Sequence, residues 1–151
     1  MKGTYCLVIA IEKPIRVKIG SIYDDFSFSA GSYIYIGSAM NSLIPRIRRH
    51  LAKNKKIHWH IDYLLADENV SIKEVIFNIS DEKIECKLAE IISKSSDHEI
   101  DKFGSSDCNC NSHLIYLKSF KNGLSKTKNA YKSLKKDYHD LNYFKKLDSK
   151  N

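Results

Sequence analysis

No apolar run in this sequence approaches the roughly 20 residues needed to cross a bilayer; the longest, Cys6 to Ile11 and Val75 to Ile79, stop far short. No membrane partner is expected. Met1-Lys2-Gly3-Thr4-Tyr5 passes directly into strand-like sequence, without the charged, apolar and small-residue order of a secretory leader, and a cytoplasmic location is expected. Cysteine is sparse. Cys6, Cys86, Cys108 and Cys110 are the only four, and Cys108 and Cys110 stand too close for an easy mutual disulfide, so reduced thiols are expected. Internal repeats and low-complexity segments are absent. Hydrophobic residues at 42% and aromatics at 11% supply a core and exclude global disorder.

Acidic residues are scarce only at one end. Residues 1 to 117 hold 15 Lys+Arg against 15 Asp+Glu, whereas 118 to 151 hold 10 Lys against 3 Asp, so the whole net charge of +7 falls in the second segment. The chain therefore divides into a domain over 1–117 and a basic C-terminal tail over 118–151, with Leu134, Tyr138, Leu141 and Phe144 giving the tail helical spacing. Such a tail suits electrostatic attraction to nucleic acid. Within the neutral body, Arg46, Arg48, Arg49, Lys53, Lys55 and Lys56 follow one another without an acid, a second candidate phosphate surface or a solvated helix face.

Thr4 to Ile11 reads as a strand, Ile15 to Ile19 as a second that forms a hairpin with it, and Ser32 to Ile36 as a third after a turn at Gly31. Period 2 puts Tyr33 and Tyr35 on one face of that strand and Ile34 and Ile36 on the other. Leu43, Ile44, Ile47 and Leu51 then mark a helix capped by Asn41 or Ser42. Arg46, Arg49, His50 and Lys53 are expected on its opposite, outer face. A short helix over Trp59 to Leu65, a strand over Ile72 to Ile79, a helix carrying Ile84, Leu88, Ile91 and Ile92, and an edge strand over Leu114 to Leu117 complete the reading. The fold class is α/β of the α+β type, with a small mixed or antiparallel central sheet flanked by helices.

Gly3-Thr4-Tyr5 on the first strand, Tyr35-Ile36-Gly37 ending a later one, Arg46 on the next helix with His50 one turn on, and Glu85 on a helix after a further strand form an ordered set. This set resembles the GIY-YIG nuclease family. The similarity is nearest to a small subfamily of unknown function with Gly-Thr-Tyr, Tyr-x-Gly-Ser-Ala, Arg-His-Leu, Trp-His-Ile-Asp-Tyr-Leu-Leu, Glu-Cys and Gly-Ser-Ser-Asp-Cys motifs, here Gly3 to Tyr5, Tyr35 to Ala39, Arg49 to Leu51, Trp59 to Leu65, Glu85-Cys86 and Gly104 to Cys108. It covers about residues 3 to 117. The long segment between Tyr5 and Tyr35 implies an inserted hairpin, and Ser38 stands where many members have lysine.

The resemblance implies a metal-dependent, repair-associated endonuclease that hydrolyses phosphodiester bonds in DNA, with Tyr5, Tyr35, Arg46, His50 and Glu85 as the catalytic set. Glu85 is the implied metal residue, and a hard carboxylate suits Mg²⁺ or Mn²⁺. A tyrosine is a poor base at neutral pH, so Tyr5 would need cationic charge from the metal, Arg46 or His50 to reach the phenolate. Arg48, Arg49, Lys53, Lys55 and Lys56 are the candidate nucleic-acid-binding residues, and Gly37 is expected to let the backbone turn after the strand. The competing reading makes Tyr5 and Tyr35 core or edge tyrosines and Glu85 a surface acid, although no lysine lies three or four residues beyond Glu85. Cys108, Cys110 and His113, with His58 or His60, raise a zinc site, but Cys-x-Cys is tighter than the usual knuckle and turn packing is the stronger reading. Two alternatives to the enzyme stay open: a nucleic-acid-binding module without turnover, and a zinc-stabilised interaction domain.

Overall fold

The computed structural model describes residues 1–19, 23–96, 98–99 and 113–150. Its frame is a five-stranded antiparallel sheet of order β5-β1-β4-β7-β6, where β1 is Gly3–Ile11, β4 Gly31–Ala39, β5 Val70–Ile79, β6 His98–Glu99 and β7 Leu114–Leu117. The α+β class expected from the sequence holds. The hairpin expected between Thr4–Ile11 and Ile15–Ile19 does not form. Instead β1 pairs with β4 and β5, and β2 (Ile15–Ile19) pairs with β3 (Tyr23–Phe28) in a separate two-stranded sheet. The physical reason is in the patterns. Thr4 to Ile11 is apolar on both faces and suits a central strand, whereas Arg16 and Lys18 alternate with Ile15 and Val17, which fits a sheet with only one covered face. This β2–β3 unit fills the long segment between Tyr5 and Tyr35.

Two cores lie on the two faces of the sheet. Tyr5, Leu7, Ile9, Tyr33 and Tyr35 belong to one, covered by α1 (Leu43–Leu51), α2 (His60–Leu65), Phe28 of β3 and Phe144 of α5 (Leu141–Ser149). Cys6, Val8, Ile34, Ile36 and Ile76 belong to the other, covered by α3 (Glu85–Ser93) and α4 (Phe120–Ser133). The alternation expected for Tyr33–Ile36 thus separates the cores. Gly31 has φ +145°, a conformation that favours glycine, and begins β4 as its turn role required. Cys6 and Cys86 are free thiols. Among the described residues no helix is long and apolar enough to cross a membrane.

The segment 118–151, expected as a separate basic tail, supplies α4 and α5 to these cores. Ser119 caps α4 by accepting from Asn122 N–H at 3.1 Å. The helix then buries Gly123, Thr127, Ala130 and Tyr131 against the sheet. A Cβ on Gly123 would stand 3.0 Å from Ser32 Oγ and 3.2 Å from Ile34 Cδ1, so glycine permits this close approach. Tyr131, fully buried, donates its hydroxyl to the Thr4 carbonyl at 3.1 Å. The helical spacing read from Leu134 onward is interrupted, because Lys135 takes a left-handed φ of 57° and ends α4. The chain next lays His139 beside Phe77 of β5 through two backbone hydrogen bonds, and Asp140 caps α5 by accepting from Tyr143 N–H at 3.0 Å.

Tyr131→Ala is expected to lower the unfolding free energy by roughly 3–5 kcal/mol, the usual range for emptying a buried aromatic site. Tyr131→Phe, which removes only the hydroxyl, should cost about 1 kcal/mol. Urea unfolding followed by circular dichroism measures both, and a near-wild-type midpoint for Tyr131→Ala would show that α4 is peripheral.

Candidate active site

At one end of the sheet the backbone gathers residues from both faces. Tyr5 lies opposite Gly37 in the β1–β4 register. An added Cβ on Gly37 would stand 2.5 Å from the Tyr5 hydroxyl. This gives Gly37 a reason other than the turn expected of it: β4 continues through it to Ala39, and the missing side chain makes room for the tyrosine. Beside this pair opens a cleft of about 530 Å³, whose lining includes Tyr5, Tyr35, Ser38, Arg46, Trp59 and Glu85. Its wall also has Gly37, Met40, His58, His60, Lys83, Cys86 and His113. Four of the five residues expected to be catalytic therefore meet in one cleft.

Glu85 opens α3, where the helix dipole favours a carboxylate. Ser38 Oγ donates to its Oε1 at 2.6 Å and His113 Nδ1 to its Oε2 at 2.8 Å. Burial alone would raise its pKa, but these donors, with Arg46 nearby, outweigh it and hold the carboxyl below the ordinary carboxylate range. His113 is set in place by the backbone, since its carbonyl accepts from Ile36 N–H at 2.9 Å. Cys108 and Cys110 lie outside the described residues, and among those described no group of three His, Cys, Asp or Glu residues gathers to hold a metal.

His50 is the fifth expected residue, and its position corrects the helix-face reading. It is buried on the inner side of α1 with Leu43, Ile44 and Ile47, because positions 43, 47 and 50 share a face at four- and three-residue steps. Its Nε2 lies 2.8 Å from the Tyr5 hydroxyl. Burial, aided by Lys55, Arg49 and Arg46 and opposed by Asp62, lowers its pKa to about 3, so the ring is neutral and supplies no positive charge. The expected phenolate on Tyr5 is likewise not its resting state. Burial, then the neighbouring Tyr35 and Glu85, push the Tyr5 pKa well up, against the lowering effect of Arg46. Among the described residues His50 Nδ1 is buried with no hydrogen-bond partner. An orphaned acceptor is tolerated more readily than an orphaned N–H, which favours the tautomer in which Nε2–H donates to the Tyr5 oxygen.

The cation run on and after α1 is largely engaged. Arg49 donates to both oxygens of Asp62, at 3.1 and 2.8 Å, and to the Lys56 carbonyl at 2.6 Å. Arg48 pairs with Asp148 of α5 at 2.7 Å. Lys55 donates to the carbonyls of Arg49, His50 and Ala52 at the end of α1, a cation placed at a helix C-terminus. Lys53 and the Lys56 side chain are exposed. Asp62 is fully buried and also accepts from the backbone N–H groups of His58 and Trp59, both at 2.9 Å. It thereby fixes Trp59, whose ring centre lies 4.4 Å from the Arg49 guanidinium and 5.0 Å from that of Arg46, within cation–π range. Arg46 in turn donates to the Ser38 carbonyl at 2.7 Å.

Sequence reasoning missed Ser38 and His113 as partners of Glu85 and Trp59 as a wall. The Trp-His-Ile-Asp motif held the signal, since an acid three residues into a helix commonly returns to the preceding N–H groups.

His50 makes stability depend on pH in a defined direction. Its folded pKa of about 3 lies below its ordinary 6.5, so between those values the unfolded chain binds a proton that the folded chain does not. Its contribution is intact above pH 6.5 and falls with pH, at a limiting slope of about 1.4 kcal/mol per unit. Below the ordinary carboxylate range, Asp62 and Glu85, both held low, add to the loss as they protonate. Urea midpoints measured from about pH 3 to 8 should show the His50 limb, and His50→Gln should remove it while leaving the more acidic carboxylate limb.

Comparison with known families matches residues 4–136 to one described as "Domain of unknown function DUF123". No curated protein and no solved structure matches the chain. The matched span contains every residue lining the cleft and the whole of α4. The chain belongs to the family described as domain of unknown function DUF123.

Proposed function

We propose that the chain is a metal-dependent endonuclease of the GIY-YIG type, hydrolysing phosphodiester bonds in DNA in the cytoplasm. The observation that carries this reading is the meeting of Tyr5, Tyr35, Arg46 and Glu85 in one cleft, from two strands and two helices far apart in sequence. Phosphodiester hydrolysis needs an attacking water, donors for the charge that grows on phosphorus oxygens, and help for the leaving oxygen. Arg46 spends one donor on Ser38 and has others for a phosphate. Tyr5, neutral at rest, can act as a shuttle. Its oxygen takes a proton from water while its own hydroxyl proton passes to a phosphate oxygen, with the His50 N–H steadying the oxygen throughout.

Glu85 is the residue that would hold Mg²⁺ or Mn²⁺. Its ionised carboxylate keeps lone pairs beyond those used by Ser38 and His113, which fits a hard ion bound by one carboxylate, water and substrate phosphate. When bound, such an ion supplies Lewis-acid stabilisation of phosphate charge. A second reading, a nucleic-acid-binding module without turnover, is favoured by one observation: both Glu85 oxygens already accept hydrogen bonds.

Incubation with radiolabelled flap, fork, mismatch and single-stranded DNA in Mg²⁺, Mn²⁺ or EDTA separates the two. The nuclease cuts at least one substrate with metal and none in EDTA, and Glu85→Gln reduces cutting by about a hundredfold or more. Trp59 is the only tryptophan and lines the cleft, so its emission should change on DNA binding in wild type and Glu85→Gln alike. Emission change without cutting in either metal would leave the binding module.

A further inference from the structure

On the side of the sheet away from Tyr5 and Tyr35, α4 presents an outer face that the cleft does not use. The helix, FKNGLSKTKNAYKS, contains four lysines and no acid. Its apolar side is already spent on the core through Ala130 and Tyr131. Outward, Phe120, Lys121, Leu124, Lys128, Asn129 and Lys132 line a groove of about 440 Å³. Phe120 is 40% exposed. Among the described residues Lys121, Lys128 and Lys132 enter no ion pair, in contrast to Arg48 and Arg49. Lys128 and Lys132 are one turn apart, about 6 Å along the axis, with Lys121 about 10 Å further toward the N-terminus.

We propose that the outer face of α4 is a second nucleic-acid-binding site, one that takes an unpaired strand. A lysine stripe free of acids selects a polyanion by charge complementarity. The exposed ring of Phe120 beside Leu124 selects among polyanions. A duplex offers this face only its phosphates, whereas an unpaired strand brings bases that stack on an aromatic ring. A membrane surface would call for a broad apolar outer face, and here that face holds one exposed aromatic ring and a half-buried leucine. An acidic peptide would satisfy the lysines but has no general use for the ring. The site stands independently of whether the cleft cuts DNA, because none of its residues lines the cleft.

The test is fluorescence anisotropy of the full chain in EDTA, with a short labelled deoxyoligonucleotide and its duplex. Replacing Lys121, Lys128 and Lys132 by Gln together should weaken single-strand binding about tenfold at low salt and reduce the salt slope by about two. Phe120→Ala should weaken single-strand binding roughly tenfold and leave duplex binding unchanged. Arg46→Gln, a change in the cleft, should leave both of these dependences in place. Urea midpoints confirm that the variants remain folded. Wild-type affinity in the triple variant overturns the site. Equal loss of strand and duplex in Phe120→Ala overturns its preference for an unpaired strand, as does competition by polyglutamate that matches the oligonucleotide. Binding to anionic vesicles that depends on Phe120 and the lysines, without such dependence for the oligonucleotide, assigns the face to a membrane instead.

Discussion

The Asp62 carboxylate is fully buried and accepts four hydrogen bonds, two from Arg49 and one each from the His58 and Trp59 backbones. An ionised carboxylate without such donors would cost several kcal/mol to bury, so α1, which supplies Arg49, and α2, which carries Asp62, cannot shift independently. The arrangement of the cleft follows from this. Trp59 is held at the start of α2, Arg46 and Arg49 lie against its ring, and Arg46 reaches the Ser38 carbonyl. Ser38 then joins Glu85. A salt bridge outside the cleft thus orders both the guanidinium and, through Ser38, the carboxylate.

Charge in this protein is informative by its partners more than by its sum. The cation run after Arg46 looks in sequence like a phosphate surface, but Asp62 and Asp148 neutralise two of its arginines from other elements and the end of α1 engages Lys55. A distant acid is invisible to a local count of charges. Lys121, Lys128 and Lys132 on the outer face of α4 are different, because among the described residues they enter no ion pair. The same kind of residue therefore serves as internal framework on one side of the sheet and as open surface on the other.

The features legible in the sequence were those written as local periodicity or ordered motifs. The unbroken apolar run of β1, the alternation of Tyr33 to Ile36, the stripe of α1 and the α3 helix all follow from spacing. Tyr5, Tyr35, Arg46 and Glu85 were found by motif order, and the fold brings them together. What escaped depends on three-dimensional neighbours. His50 was read as outward because it stands four residues after Arg46, yet its angular position matches Leu43 and Ile47. The buried side of α4 is made largely of Gly123, Thr127 and Ala130, small residues with a weak hydropathy signal although they allow the closest packing. β1 and β2 are adjacent in sequence, but satisfying both edges of a doubly buried strand outweighed that proximity.

The hydroxyl of Tyr131 on the Thr4 carbonyl has a consequence for synthesis. β1 receives its edge partners only when β4 and β5 have been made, and its second face is closed only when α4 follows. A chain emerging in order must therefore carry the second face of its most apolar strand incompletely covered until α4 has been made. Contacts of such long sequence separation slow folding and prolong exposure of aggregation-prone segments. The strand order thus makes the middle of the sheet the first part synthesised and the last part closed.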